Sequence, residues 1–371
     1  MGQSTKDIFR FLAASLLIVL AAALLTFAVD PLQIFRPARL FPAVYSPDGR
    51  LQNAGLIRSQ TFDTVFMGTS LAIHFRQSNI DRVLGGKSLK LAMTGSSSRE
   101  QTFVLAAALE RKPKRVIWEI DDWIFHDVPD IDDNTRLPAD LYRGNVKGLA
   151  FYLLDGSMAR QALWILVRSV PKIGAITDPL TSEALFKFPL GQVDDINALP
   201  RNEDIGALYN ERRAMAAYRY VTDPVRSKYL LDDTDYDMKV RVFERDAIGL
   251  IRAHPDVTFD IYLPPYSILQ WVTLRETSLE TLKSVYAFST YFCRRLTEFP
   301  NVRLFDFRAV QEVTHDLNHY SDVIHHSPAI DLNVLDWLAQ GKYRVEASAP
   351  TSVLDQLKAQ VEAYRIKASP L

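Results

Sequence analysis

The stretch Phe62-Asp63-Thr64-Val65-Phe66-Met67-Gly68-Thr69-Ser70 decides the fold. Its first half, through Met67, reads as a short buried strand. Gly68 stops the run and Ser70 stands on the turn beyond it, with a helix pattern starting at Leu71-Ala72-Ile73. A serine on a strand-to-helix turn has its hydroxyl exposed at the carboxyl edge of a sheet, with helix N-terminal amides close by. An acyl-transfer nucleophile belongs in that position. Serine is also a favoured helix N-cap, so the nucleophile reading requires a base and an oxyanion site from elsewhere in the chain.

Outward from this stretch the pattern repeats. Ser88 to Met93 reads as a second strand, closed by Thr94-Gly95-Ser96-Ser97-Ser98, and Glu100 to Leu109 reads as a helix ended at Lys112-Pro113-Lys114. A third strand, Arg115 to Ile120, ends at Asp121-Asp122. After an interruption come a helix at about Tyr236 to Ala253 and a strand from Val257 to Leu263, which ends in Pro264-Pro265-Tyr266-Ser267. A helix over about Leu274 to Glu298, a last strand Val302 to Asp306, a helix from about Pro328 to Ala339 and an amphipathic tail helix Val353 to Ile366 complete the chain. Strands alternating with helices across short loops predict βαβ units and a parallel sheet, hence a three-layer α/β domain over residues 61–345, with 346–371 as a C-terminal helix and tail. Such sheets bind ligands beyond the carboxyl ends of their strands. Gly68-Thr69-Ser70, Thr94-Gly95-Ser96 and Asp121-Asp122 are therefore the ends of interest. Tyr266 stands at another, as a groove residue or a plain turn residue.

The chain has 371 residues, 48% hydrophobic and 23% charged, a globular composition. A net charge of −1 gives no basic surplus for nucleic acid. Cys293 is the one cysteine, which excludes an intrachain disulfide and Cys-rich metal sites. From Phe11 to Val29 no residue is charged, and the run is just sufficient for the ~20 apolar residues of a membrane-crossing helix. Lys6 and Arg10 precede it and Asp30 follows, so the positive-inside rule places the N-terminus in the cytoplasm and the remainder outside; Arg36 and Arg39 on the far side oppose that bias. The run is longer than a signal-peptide core and lacks a clear cleavage site, which predicts an uncleaved anchor over residues 1–30. Pro31, Pro37, Pro42 and Pro47 predict an extended juxtamembrane linker over 31–60.

Residues from about 125 to 233 interrupt the α/β rhythm and predict a mainly helical insertion, with an apolar stripe through Phe151, Leu154, Met158, Leu163, Trp164, Leu166 and Val167. Such a stripe packs on the α/β core or lies on a membrane or a membrane partner.

The base is expected from Asp316-Leu317-Asn318-His319. Side chains at i and i+3 face one another in a helical turn, and a carboxylate bonded to one histidine nitrogen holds the ring in the tautomer that accepts a serine proton at the other. The wider cluster of His315, Asp316, His319, Asp322, His325 and His326 has the ligand types of a zinc site, but its spacing matches no common zinc signature. No metal or cofactor is expected.

Gly68-Thr69-Ser70 after the first strand, Gly95 after the second and Asp316-x-x-His319 late in the chain resemble the SGNH (GDSL-type) hydrolase and acyltransferase superfamily over about residues 60–125 and 235–340. The resemblance implies a flavodoxin-like α/β fold, Ser70 as nucleophile, Asp316 and His319 as its partners, and the amides of Ser70 and Gly95 as oxyanion donors. The family's third block carries an Asn in a Gly-x-Asn-Asp pattern, where this chain has Glu119-Ile120-Asp121-Asp122. An ionised Asp121 cannot donate to an oxyanion, and removing one donor costs on the order of 10²–10³ in rate. A membrane anchor, a degraded third block and Asp-x-x-His-Tyr together resemble the periplasmic or extracellular proteins that act with membrane-bound O-acyltransferases, such as the alginate-acetylation proteins and the D-alanine transfer protein of the teichoic-acid system. That implies an O-acyltransferase or esterase working on a cell-surface polysaccharide or envelope polymer. The missing Asn favours the alternative, an inactive glycan-binding or scaffold protein of an envelope-assembly complex.

Overall fold

The computed structural model describes residues 3–41, 43, 45–46, 48–131, 136–169, 208–224 and 234–366. The chain divides into two units, one of residues 62–130 and 197–371 and one of residues 1–61 and 131–196.

The first of these is built on a five-stranded sheet of β1 (Thr64–Met67), β2 (Ser88–Lys90), β3 (Arg115–Glu119), β4 (Thr258–Leu263) and β5 (Val302–Asp306). Every pairing is parallel and the spatial order is β2-β1-β3-β4-β5. The strands are buried almost throughout, as a sheet covered by helices on both faces requires. Phe66, Ile117, Tyr262 and Phe305 share one cluster with Ile80 of the Gln77–Leu84 helix and with Val334 and Leu338 of the Pro328–Gln340 helix. Trp118, next along β3, points the other way and donates its indole N–H to Gln101 of the Ser98–Leu109 helix. In this order the succession of strands switches sides between β1 and β3, and the crevice beyond their carboxyl ends is where doubly wound sheets bind ligands. Ser70 leaves β1 and Asp121 leaves β3 at that point.

Several elements depart from the sequence reading. The turn after β1 opens a single 3-10 turn, Ser70–Ala72, and the α-helix begins only at Gln77. The cause is a clamp: the buried Lys90 ammonium of β2 donates to the carbonyls of Ile73 and Phe75, both at 2.7 Å, diverting them from a helical ladder. The predicted 274–298 helix is two, Ile268–Thr277 and Leu279–Leu296, divided at Ser278, whose side chain caps the second. The helix from Tyr236 passes through a π turn, Glu244–Ile248, before Gly249–Ala253. The tail helix, Ser352–Ala363, is integral to this unit: Leu354, Leu357 and Val361 are buried in one cluster with Trp271, Leu282 and Val285.

In the other unit the apolar N-terminal helix runs Gln3–Val29, long and apolar enough to cross a membrane. Residues expected as an extended linker contain a helix, Gly49–Ser59, with Asp48 as its N-cap. Gly55 is required there, since a Cβ would lie 1.7 Å from the carbonyl oxygen of Leu32. The insertion is helical where described, with Ala139–Arg143, Val146–Leu154 and Gly156–Arg168 in this unit. The last two pack on the N-terminal helix, with Ala162, Trp164 and Ile165 against Leu25 and Val29. The helix Glu211–Val221 belongs to the α/β unit, where Ala214 and Tyr218 join the Trp271 cluster. The rest of the predicted insertion, 132–135, 170–207 and 225–233, lies outside the described residues.

Candidate active site

Ser70 stands first in the 3-10 turn that leaves β1, half-buried, with the buried Thr69 before it. Gly68 is needed for the approach: a Cβ there would lie 2.6 Å from the Ala72 Cβ and 2.7 Å from Glu119 Oε2. The amides of Leu91 and Met93 donate to the carbonyls of Phe66 and Gly68, extending the β2 pairing to the end of β1. This carries the next loop to the same sheet edge, where Gly95 is exposed with φ +59°, a left-handed conformation that favours glycine. Nothing lies within 4 Å of where its Cβ would be, so the space over that backbone is open.

The Ser70 hydroxyl is 2.9 Å from Nε2 of His325, and His325 Nδ1 is 2.7 Å from Oδ2 of Asp322. Serine, histidine and carboxylate therefore form one hydrogen-bonded chain. Asp322 also builds the turn that aims the ring: its Oδ1 accepts from the backbone N–H groups of Ile324 and His325 at 2.8 and 2.7 Å. The loop is closed by the Tyr320–His326 bridge and fastened to the β4 exit by two bonds. Tyr320 donates its hydroxyl to the Pro265 carbonyl and Ser267 donates to the Val323 carbonyl.

His319, expected as the base, is not the histidine that meets Ser70. Asp316 and His319 do face one another across the 3-10 turn Leu317–His319, at 3.5 Å, but both are substantially exposed. Asp316 caps that turn, accepting from the Asn318 backbone and side-chain amides, and the other His319 nitrogen lies 3.4 Å from Ser327 Oγ. The chain holds two Asp-x-x-His units, and the second carries the geometry that was expected of the first.

Beneath the Ser70 turn lies a buried carboxyl pair that the sequence reading did not identify. Thr69 donates to Asp121 Oδ2 at 2.5 Å, with Glu119 Oε1 3.3 Å away on its other side. Asp121 Oδ1 accepts from the Tyr266 hydroxyl. Glu119 and Asp121 are both essentially inaccessible to solvent. Burial raises the Glu119 carboxyl well above the ordinary range, and the neighbouring Asp121 charge raises it further. Burial also raises Asp121, against the hydrogen bonds from Thr69 and Tyr266. Both carboxyls are thus pushed toward the neutral form, Glu119 the more strongly. With its single hydroxyl proton given to Asp121, Thr69 Oγ has lone pairs left to accept from the Glu119 carboxyl. Asp121 accordingly serves as an acceptor that props the Ser70 turn and does not point a donor at an oxyanion. Tyr266 is a buried strut for Asp121 rather than a groove residue, and Asp122 serves the core by accepting from the buried Arg308 guanidinium.

Burial lowers the His325 pKa, but the hydrogen bond and charge of Asp322, with Asp121 behind them, outweigh it and hold the ring above its ordinary value. Asp322 is held below the usual carboxylate range: the hydrogen bond and charge of His325 and two backbone amides overcome its burial. His74, on the segment after Ser70, is pushed down to about 4 by burial and by His326, His325 and Lys90, so it is neutral near pH 7. His326 lies 3.3 Å from the buried Asp331 and is separate from the Ser70 chain. Among the described residues no three His, Cys, Asp or Glu side chains are gathered to hold a metal ion. A serine in hydrogen-bond reach of an oriented histidine, with an exposed left-handed glycine on the loop after the next strand, has the parts for nucleophilic acyl transfer. No protein-family model and no curated protein matches this sequence.

Proposed function

We propose that the chain is a serine-dependent O-acyltransferase or esterase of the SGNH (GDSL-type) kind. In this reading residues 11–29 anchor it in the cytoplasmic membrane, and its α/β unit works outside the cytoplasm (the periplasm of a Gram-negative cell) on a cell-surface polysaccharide or related envelope polymer. The Ser70–His325–Asp322 hydrogen-bonded chain is the observation that carries the catalytic part. His325 Nε2 takes the Ser70 proton as Oγ attacks the acyl carbonyl, and the amides of Ser70 and Gly95 receive the oxyanion. The tetrahedral adduct expels the donor's alkoxide, which leaves with the proton from His325, and an acyl-serine remains. A sugar hydroxyl or water then gives its proton to His325 and attacks the ester, releasing Ser70. A hydroxyl acceptor gives transfer, and water gives hydrolysis. A membrane-bound O-acyltransferase is the partner this reading implies as acyl supplier.

The test is burst kinetics with an activated aryl ester. One equivalent of phenol should appear ahead of the steady state in the native protein and be absent from Ser70→Ala. An inactive glycan-binding or scaffold role is favoured by the acceptor-only Asp121, and absence of any burst, with binding of envelope glycan retained by Ser70→Ala, would establish it instead.

A further inference from the structure

The N-terminal helix is not joined to its unit as a loose tether. Asp30 ends it with φ +53°, and the Asp30 carboxylate accepts from the amides of Ile34, Phe35 and Arg36 at 2.9, 2.8 and 3.0 Å. The same carboxylate accepts from the Tyr152 hydroxyl at 2.9 Å, which ties the Val146–Leu154 helix to the residue where the anchor stops. Arg36 turns back over the Phe27 ring and donates to the carbonyls of Phe27 and Ala28, closing the helix end.

The depth of the neighbouring helices follows. The uncharged run ends at Val29, and its 19 residues (11 to 29) span about 28 Å at 1.5 Å each, close to the ~30 Å hydrocarbon thickness. A spanning helix of that length leaves no slack, so Val29 sits at the boundary and Leu25 about one turn inside it. Ala162, Trp164 and Ile165 of the Gly156–Arg168 helix pack against Leu25 and Val29 and share their depth. Yet the same two helices turn large apolar side chains outward: Phe151 is 63%, Leu154 60%, Leu163 51% and Leu166 37% exposed. Exposed Lys147 and Arg160 lie among them, the basic companions of an interfacial helix.

We propose that the Val146–Leu154 and Gly156–Arg168 helices are seated in the non-cytoplasmic leaflet. Phe151, Leu154, Leu163 and Leu166 lie among acyl chains, with Lys147 and Arg160 at the phosphate headgroups. The anchor unit is then a three-helix membrane seat held rigid by Asp30 and Tyr152. This rests on the reading of residues 11–29 as a membrane span.

The experiment uses the full chain in phosphatidylcholine–phosphatidylglycerol vesicles, with nitroxide labels placed singly at Phe151→Cys, Leu154→Cys and Leu163→Cys, and at Leu16→Cys in mid-anchor. Cys293 is buried with its thiol pushed up to about 12 by burial, so it stays unlabelled, and the unsubstituted protein is the blank. Collision with oxygen should exceed collision with a water-soluble nickel complex several-fold at 151, 154 and 163, as at 16. If the label at 16 is lipid-exposed while those at 151 and 163 meet nickel as freely as in water, the anchor spans and the seat is refuted. Labels shielded from both reagents mean that protein covers the face, which also refutes it. Free access of nickel to position 16 removes the span and the seat together.

Discussion

Asp316-x-x-His319 and Asp322-x-x-His325 have the same spacing, and what separates them is how each aspartate spends its second oxygen. Asp316 stabilises the short turn that contains its histidine, leaving both side chains at the surface. Asp322 spends Oδ1 on two backbone amides and Oδ2 on His325 Nδ1, so the ring is aimed by the loop that carries it. His325 must be neutral to take the Ser70 proton, and its pKa is held above the ordinary ~6.5. We expect kcat/KM for an activated ester to fall as pH drops through a value above 6.5. In Asp322→Asn the Asp322 hydrogen bond and charge, the larger of the raising influences, are lost while the burial that lowers the pKa remains. The inflection should move to lower pH and the rate fall on the order of 10²–10⁴. A pH–rate profile of both proteins checks this.

The carboxyl pair yields a second expectation. Burial and the Asp121 charge favour the neutral Glu119 carboxyl, so Glu119→Gln should change unfolding free energy by under about 1 kcal/mol. Asp121 accepts on both oxygens, from Thr69 and from Tyr266. Asp121→Asn presents an NH₂ group to one donor and should cost about 1–3 kcal/mol. Urea unfolding ranks the two, and the reverse ranking would mean that Asp121 holds the proton. Ser70 was legible because strand, glycine and serine are contiguous, and Gly95 because a turn glycine follows the next strand. The choice between two identical Asp-x-x-His spacings was not, since it rests on the Asp322 turn and on Tyr320 and Ser267, which fasten that loop to the β4 exit. Nor was Glu119, whose meaning comes from Thr69, fifty positions away.

At the scale of elements, every strand of the sheet was legible from short apolar runs bounded by turn residues, and parallel pairing followed from the helices between them. Misread boundaries trace to side-chain bonds to the backbone that periodicity does not register. Lys90 strips Ile73 and Phe75 from the helix that periodicity suggested after Ser70, and Ser278 caps a helix inside what read as one long segment. The Ser98–Leu109 helix is held by a reciprocal capping box between Ser97 and Glu100, next to the Gly95 loop. Ser97→Ala should lower stability by about 1 kcal/mol, measurable as a drop in urea midpoint at constant m.

At the scale of the whole molecule, the sequence separated an apolar N-terminal helix, an α/β domain and a helical insertion. It did not show the insertion packing on that helix, because Asp30 and Tyr152 meet only after folding. Tyr152→Phe removes that bond and leaves the remaining Asp30 bonds in place. The amides of Ile34, Phe35 and Arg36 should then exchange with deuterium faster than in the native protein, with the sheet amides unchanged.

Activation of Ser70 by His325 can be read from covalent labelling of the intact chain with a fluorophosphonate, followed by peptide mapping. A single adduct is expected on Ser70, lost in His325→Ala and retained in His319→Ala. Labelling of Ser70 that survives His325→Ala but disappears in His319→Ala, or no adduct on Ser70 at all, would contradict it.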